Sequence, residues 1–224
     1  MLTKRRKIIY SIRNRKNGVI YLSSTTVRTK SHFRALDIAY IGMFAALMMI
    51  GANITSFAPF MVVGGVPITL QAFFAILAGI ILGSRLGAIS MAVYAIVGLA
   101  GAPVFARFTG GFAQLMSPTF GFIIAFIFTA YLTGKIVERY SSRTAYIIAA
   151  LIATVIIYIF GTNWMYFAYQ IWADAPPEFT YKLAWLWMLA PLPKDIILAV
   201  FAGVFGYRMR HIIKKTSQKR SRKQ

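Results

Sequence analysis

The sequence predicts an all-α integral membrane protein, a bundle of six transmembrane helices with both termini cytoplasmic. Three observations predict it. Apolar residues make up 58% of the chain, against ~45–50% in an ordinary soluble domain. They fall into long runs separated by short polar or Gly/Pro-rich joints, and mean hydropathy is +0.66. The net charge of +20 sits at the ends, with ten of the 25 Lys/Arg in residues 1–34 and eight in residues 208–223. Placing both tails, Arg85 and the Lys135/Arg139/Arg143 turn on one side puts 22 of the 25 cations in the cytoplasm, the bias expected of a multi-pass protein. A nucleic-acid binder would carry its bases on a folded soluble face. The expected partner is the lipid bilayer, with no nucleic acid.

Residues 1–34 read as a basic cytoplasmic tail, partly helical against anionic lipid. Their apolar runs, Ile8-Ile9-Tyr10 and Val19-Ile20-Tyr21-Leu22, are too short to span. No apolar core with a cleavage site marks a signal peptide. The membrane domain covers 35–207, and 208–224 form a second basic cytoplasmic tail.

The first span runs from Leu36 to Phe57. Ala35, Ala39, Gly42 and Ala46 form a stripe of small residues that permits close helix approach, inside the molecule or to a partner subunit. The second, Pro67 to Gly83, has proline at the first helical position and glycine just past the last. The third, Leu86 to Leu99, carries Tyr94. The stretch Gly98–Pro118, rich in glycine and aromatics, reads as an ordered lid, because a loop this long in a compact bundle is usually functional or disordered. The fourth span is Thr119–Val137. The fifth, Ala145–Tyr169, carries Asn163, with Tyr166, Tyr169 and Trp172 as an interfacial belt. The sixth, Leu183–Tyr207, contains Pro191-Leu192-Pro193-Lys194-Asp195.

Several chemistries are excluded. There is no Cys, and His32 and His211 lie in the tails, so thiolate sites and histidine triads cannot be built. No G-x-x-x-x-G-K-[ST] occurs, so the chain carries no P-loop of its own. Of five acids only Asp195 lies deep in a span. That leaves no carboxylate pair for acid–base work and no acidic relay for proton coupling. No enzyme is expected, no metal site and no cofactor. A stand-alone secondary carrier is the competing reading, although no internal repeat is evident.

A charge at mid-membrane costs at least ~2.5–3.5 kcal/mol on insertion scales and needs a partner, a cavity or a ligand. Lys194 and Asp195 are adjacent, so on a helix they point about 100° apart and are not expected to pair with each other. Each is satisfied by backbone groups freed by the two prolines or by a ligand. Asp195 suits paired N–H donors, while Lys194 and Arg107 suit a carboxylate. Gln71, Tyr94, Gln114 and Asn163 could orient a ligand, although residues of the Gln71 and Asn163 kind more often serve as interhelical glue. Phe105, Phe108 and Trp187 could form apolar walls.

The motifs Val66-Pro67-Ile68-Thr69-Leu70-Gln71, Arg85-Leu86-Gly87-Ala88, Gly98-Leu99-Ala100-Gly101-Ala102-Pro103-Val104-Phe105-Ala106, Pro118-Thr119-Phe120-Gly121-Phe122 and Pro193-Lys194-Asp195-Ile196-Ile197 occur in this order. Together they resemble the BioY family, the biotin-specific S components of energy-coupling factor (ECF) transporters, over about residues 36–207. The resemblance implies a six-helix bundle holding biotin near the outer face of a prokaryotic cytoplasmic membrane, covered by loops. It implies a transmembrane T subunit and two ABC ATPase subunits as partners, with ATP used by those subunits. The small-residue stripe on the first helix, Ala35/Ala39 and Gly42/Ala46, becomes the T-subunit docking face. Asp195 becomes the acceptor for ureido N–H groups, and Lys194 or Arg107 the carboxylate partner. An S component for a different small vitamin is the alternative within this reading. Three positions depart from the family pattern, the first being Lys194, where a glycine is expected. Leu198 stands where a lysine is expected, one turn beyond Lys194, and Phe120 replaces a glycine.

Overall fold

The computed structural model describes residues 7–16, 19–27, 34–57, 62–63 and 66–221. They divide into two units, residues 1–38 and 39–224. In the first unit, β1 (Lys7–Lys16) and β2 (Val19–Val27) form an antiparallel hairpin, pairing Lys7 with Val27 and Lys16 with Val19. The helical expectation for this tail is therefore corrected. Two runs rich in Ile, Val, Tyr and Thr flank Asn17-Gly18, and that dipeptide between such runs is a strong short-range hairpin signal.

The membrane unit is helical. Its elements are α1 (Ala35–Asn53), α2 (Gln71–Leu82), α3 (Ser84–Leu99), α4 (Phe120–Arg139), α5 (Arg143–Ile171), α6 (Tyr181–Leu189) and α7 (Leu192–Ser221). Four helices among the described residues are long and apolar enough to cross a membrane: α1, α4, α5 and the Leu192–Ile213 part of α7. The chain is a multi-pass membrane protein.

Two of the expected spans are built differently. The second does not begin its helix at Pro67. That residue lies in β4 (Val66–Pro67), paired with β3 (Val62–Val63), and the helix starts at Gln71. Twelve helical residues rise only about 18 Å, short of ~30 Å of hydrocarbon. Irregular backbone at membrane depth is tolerated where it lines a cavity, and Val66–Thr69 does line one. The sixth span is two helices, α6 and α7, broken at Ala190-Pro191. Pro191 and Pro193 remove two N–H donors, and a proline ring clashes with the preceding turn of a continuous helix. Pro193 is harmless in the first turn of α7, where no intrahelical donor is required. The C-terminal segment expected as a tail from residue 208 continues α7 to Ser221.

Small residues let the helices approach backbone to backbone. Gly79 of α2 faces the Ala130 carbonyl of α4, and Gly87 of α3 lies against Gly79 and Ala78. A side chain at either would drive these helices apart. Gly83, at φ 87°, turns α2 directly into α3. Glu138 of α4 caps α3, its Oε1 accepting the Ser84 N–H at 2.7 Å, where a carboxylate complements the helix dipole. At the same end Arg210 donates to the Ile80 carbonyl at 3.1 Å. Arg85, Lys135, Arg139 and Arg143 belong to this basic end of the bundle. The opposite end, formed by the C-terminus of α1 and the N-termini of α2, α4 and α7, holds the cavity.

Candidate ligand-binding site

The cavity has a volume of about 240 Å³. Its walls come from the extended segment Val66–Thr69, the loop Phe105–Thr119, α4, α5 and the α6–α7 break. Phe105, Phe120, Phe122 and Phe126 supply apolar surface, and Asp195 supplies one buried carboxylate. A mostly apolar cleft with few polar groups is the usual character of a small-molecule site.

Asp195 lies in the first turn of α7, where the helix dipole favours negative charge. Its Oδ2 accepts from the Tyr158 hydroxyl at 2.7 Å, and its Oδ1 pairs with Lys194 Nζ at 2.6 Å. Adjacent residues therefore do pair, against the sequence expectation. The flexible four-carbon lysine stem spans the angular gap between the two positions. Lys194 Nζ also donates to the Thr69 carbonyl. Lys194 does not line the cavity, whereas Asp195, Thr69 and Tyr158 all do.

Asp195, Arg107, Gln71, Gln114 and Phe105 line one cavity, as the sequence grouped them. Tyr94 stands behind its wall, buried, accepting from Gln71 Nε2 at 2.9 Å and donating to the Val104 carbonyl at 3.0 Å. Asn163 is elsewhere. It donates to the Ile159 carbonyl one turn back at 2.7 Å and accepts from Tyr181 at 3.3 Å. Phe108 and Trp187 are not among the wall residues. Of the aromatics expected as an interfacial belt, Tyr169 lines the cavity, Tyr166 meets the Tyr181 ring edge-on, and Trp172 is exposed and donates to the Met116 carbonyl at 2.7 Å.

The loop over the cavity is tied down at several points. Trp164 Nε1 donates to the Ser117 carbonyl at 3.2 Å, and the Phe105 ring sits edge-on between Tyr94 and Phe120. Arg107 and Phe108 adopt left-handed backbone at φ 60° and 54°. Such conformations cost of order 1–3 kcal/mol each and persist only where the surroundings enforce them. Here Asn53 Oδ1 accepts the Phe108 N–H at 2.7 Å, and the Phe105 N–H bonds to the Thr109 carbonyl at 3.0 Å. The turn brings Arg107 to the cavity rim. No ion pair or hydrogen bond holds its guanidinium among the described residues. Asn53→Ala is expected to destabilise the protein by ~1–3 kcal/mol, because it orphans the Phe108 N–H. The check is a fall in Tm of the detergent-solubilised chain.

Sequence reasoning missed Tyr158, Thr69 and Asn53. A signal existed for two of them. A tyrosine hydroxyl or an asparagine amide inside an apolar span needs a hydrogen-bond partner, and both Tyr158 and Asn53 meet that description. Thr69 meets Lys194 through its backbone carbonyl, which no side-chain identity announces.

The BioY family profile matches residues 24–215. The chain belongs to the BioY family. BioYB of Bacillus subtilis (strain 168) is 50% identical over 183 residues, covering 80% of this chain and 90% of that protein. The biotin transporter BioY of Rhodobacter capsulatus is 33% identical over 176 residues, covering 75% of this chain and 90% of that one. Among solved structures, the S-component for biotin from an ECF-type ABC transporter aligns with a TM-score of 0.64 at 25% identity, covering 79% of this chain and 91% of that chain. The BioY match includes α1 to α6 and α7 up to residue 215, so the cavity belongs to the part of the chain that the family shares. The β1–β2 hairpin falls mostly before the matched region.

Proposed function

We propose that this chain is the biotin-binding S component of an ECF-type ABC transporter, a membrane subunit that binds its ligand without chemical turnover. The observation that carries the reading is the Asp195 carboxylate, buried at the wall of an apolar cavity in a BioY-family chain. Biotin offers two ureido N–H donors, an apolar thioether ring and a carboxylate. Asp195 is the acceptor for the ureido N–H groups, and a hydrogen bond to a charged group contributes ~1.5–3 kcal/mol. Phe105, Phe120 and Phe126 enclose the ring. Arg107, at the rim and without an anionic partner among the described residues, takes the carboxylate, for which its planar fork is suited. Gln71 and Gln114 orient the polar edge, and Tyr94 holds Gln71 from behind.

The basic end of the bundle faces the cytoplasm under the positive-inside rule, so both termini are cytoplasmic and the cavity opens outward. With no P-loop in the chain, energy comes from two ABC ATPase subunits through a T subunit. That subunit docks on Ala35, Ala39, Gly42 and Ala46, all exposed on α1. The test is a titration of the purified full chain with biotin against a panel of other vitamins. Biotin is expected to bind below ~1 μM, equivalent to about −8 kcal/mol, and well ahead of the rest. Absence of biotin binding at that level overturns the reading.

A further inference from the structure

We infer that Lys194 is a positioning residue, which fixes the Asp195 carboxylate and the cavity segment Val66–Thr69 and does not meet the ligand's carboxylate. The inference rests on the biotin reading, because it assigns a role relative to that ligand. Lys194 Nζ is committed to two protein acceptors, Asp195 Oδ1 at 2.6 Å and the Thr69 carbonyl. An ammonium has three donors and no acceptor, so two of the three are already spent on the protein. The side chain is outside the cavity wall, while both groups it holds are part of that wall.

The location is otherwise unfavourable. A cation in the first turn of a helix opposes the macrodipole, and the lysine lies in a span where charge is costly. What it gains there is the closure of a three-element joint. Lys194 and Asp195 come from α7, Thr69 from the extended segment before α2, and Tyr158 from α5. Thr69 is separated from Lys194 by 125 residues, so this bond ties the extended segment to α7, as the Leu70 N–H to the Gly51 carbonyl at 2.9 Å ties it to α1.

The joint continues across the site. Thr69 Oγ1 donates to Gln71 Oε1 at 3.2 Å, and Gln71 donates to Tyr94 at 2.9 Å. Tyr94 donates to the Val104 carbonyl, which Asn53 Nδ2 also reaches at 3.4 Å. Asn53 then holds the Phe108 N–H of the left-handed turn carrying Arg107. One connected network thus joins the acceptor pole at Asp195 to the cation pole at Arg107, and Lys194 is the link nearest Asp195. Leu198, one turn further along α7, is not part of the cavity wall. In this chain the lysine works behind the wall.

The experiment compares biotin with its neutral amide on the full chain in detergent, by calorimetric titration. If Lys194 positions, Lys194→Met and Lys194→Gln weaken both ligands by the same factor, at least ~10-fold, about 1.4 kcal/mol. Arg107→Gln, run alongside, weakens biotin and leaves the amide unchanged. A Lys194→Met loss confined to biotin would mean that the lysine meets the carboxylate, and the inference falls. No loss for either ligand overturns it as well. Should Lys194→Met and Lys194→Gln not yield folded protein, Lys194→Arg keeps the charge and must show the wild-type ratio of biotin to amide affinity; an altered ratio overturns the inference. Failure of the wild-type chain to bind either ligand strikes the biotin reading instead.

Discussion

Asp195→Ala is expected to weaken biotin binding by at least ~100-fold, a loss of about 2.7 kcal/mol. Two effects add. The ureido N–H groups lose a charged acceptor, worth ~1.5–3 kcal/mol. The Tyr158 hydroxyl and the Lys194 ammonium also lose their shared partner, and a part-buried cation without its counter-charge disturbs the wall it was holding. Titration of the purified variant gives the affinity, and its Tm separates a binding defect from a folding one. A variant that folds normally and binds biotin within threefold of wild type would remove Asp195 as the acceptor. Asp195→Asn sharpens the result. It keeps the shape but loses the charge, so its affinity should lie between those of wild type and the alanine variant.

Widening α1 should break assembly without touching the ligand. The double variant Gly42→Leu/Ala46→Leu is expected to lower recovery of a co-expressed T subunit by more than ~10-fold, because membrane helices that meet through small residues depend on close backbone approach. Biotin affinity is expected to stay within twofold. A Cβ added at Gly42 meets no neighbouring element of the described residues within 4 Å, and Ala46 is likewise exposed, so the packing of α1 on its described neighbours is expected to hold. Phe44 and Met48, on the buried face of the same helix, keep their contacts. Co-purification on a tagged T subunit with its two ATPases is the measurement. Undiminished recovery would dismiss the stripe as the docking face, and a parallel loss of biotin binding would show that α1 had been damaged as a whole.

Most helices were legible because a membrane span needs a long apolar run, and its length and edges are written directly in composition. Such runs account for α1, α3, α4 and α5 to within a few residues at most ends. Pro67 misled because proline suits both the first turn of a helix and an edge strand. Here it lies in a strand paired with Val62–Val63, and the Thr69 carbonyl two residues on accepts from Lys194. The break between α6 and α7 was announced by Pro191 and Pro193, yet proline is also tolerated inside membrane helices when neighbours satisfy the freed groups. Asn163 could be read from sequence either as a ligand contact or as interhelical glue; its amide bonds to its own helix one turn back and accepts from Tyr181 of α6, a choice that spacing alone does not reveal.

What the sequence by itself determined is the class of molecule and the identity of its one deep acid. Apolar runs, basic ends and a lone Asp195 follow from composition and order, since burial in lipid constrains every residue of a span independently. Only the tertiary structure decided what Lys194 does. Two residues adjacent on a helix have many possible partners, and besides its neighbour Asp195 the lysine here bonds a backbone carbonyl 125 positions away. The same holds for Tyr158, which becomes a site residue because α5 packs against the start of α7. Contacts of that range are set by how helices pack, and packing is a property of surfaces meeting in space that no local pattern encodes.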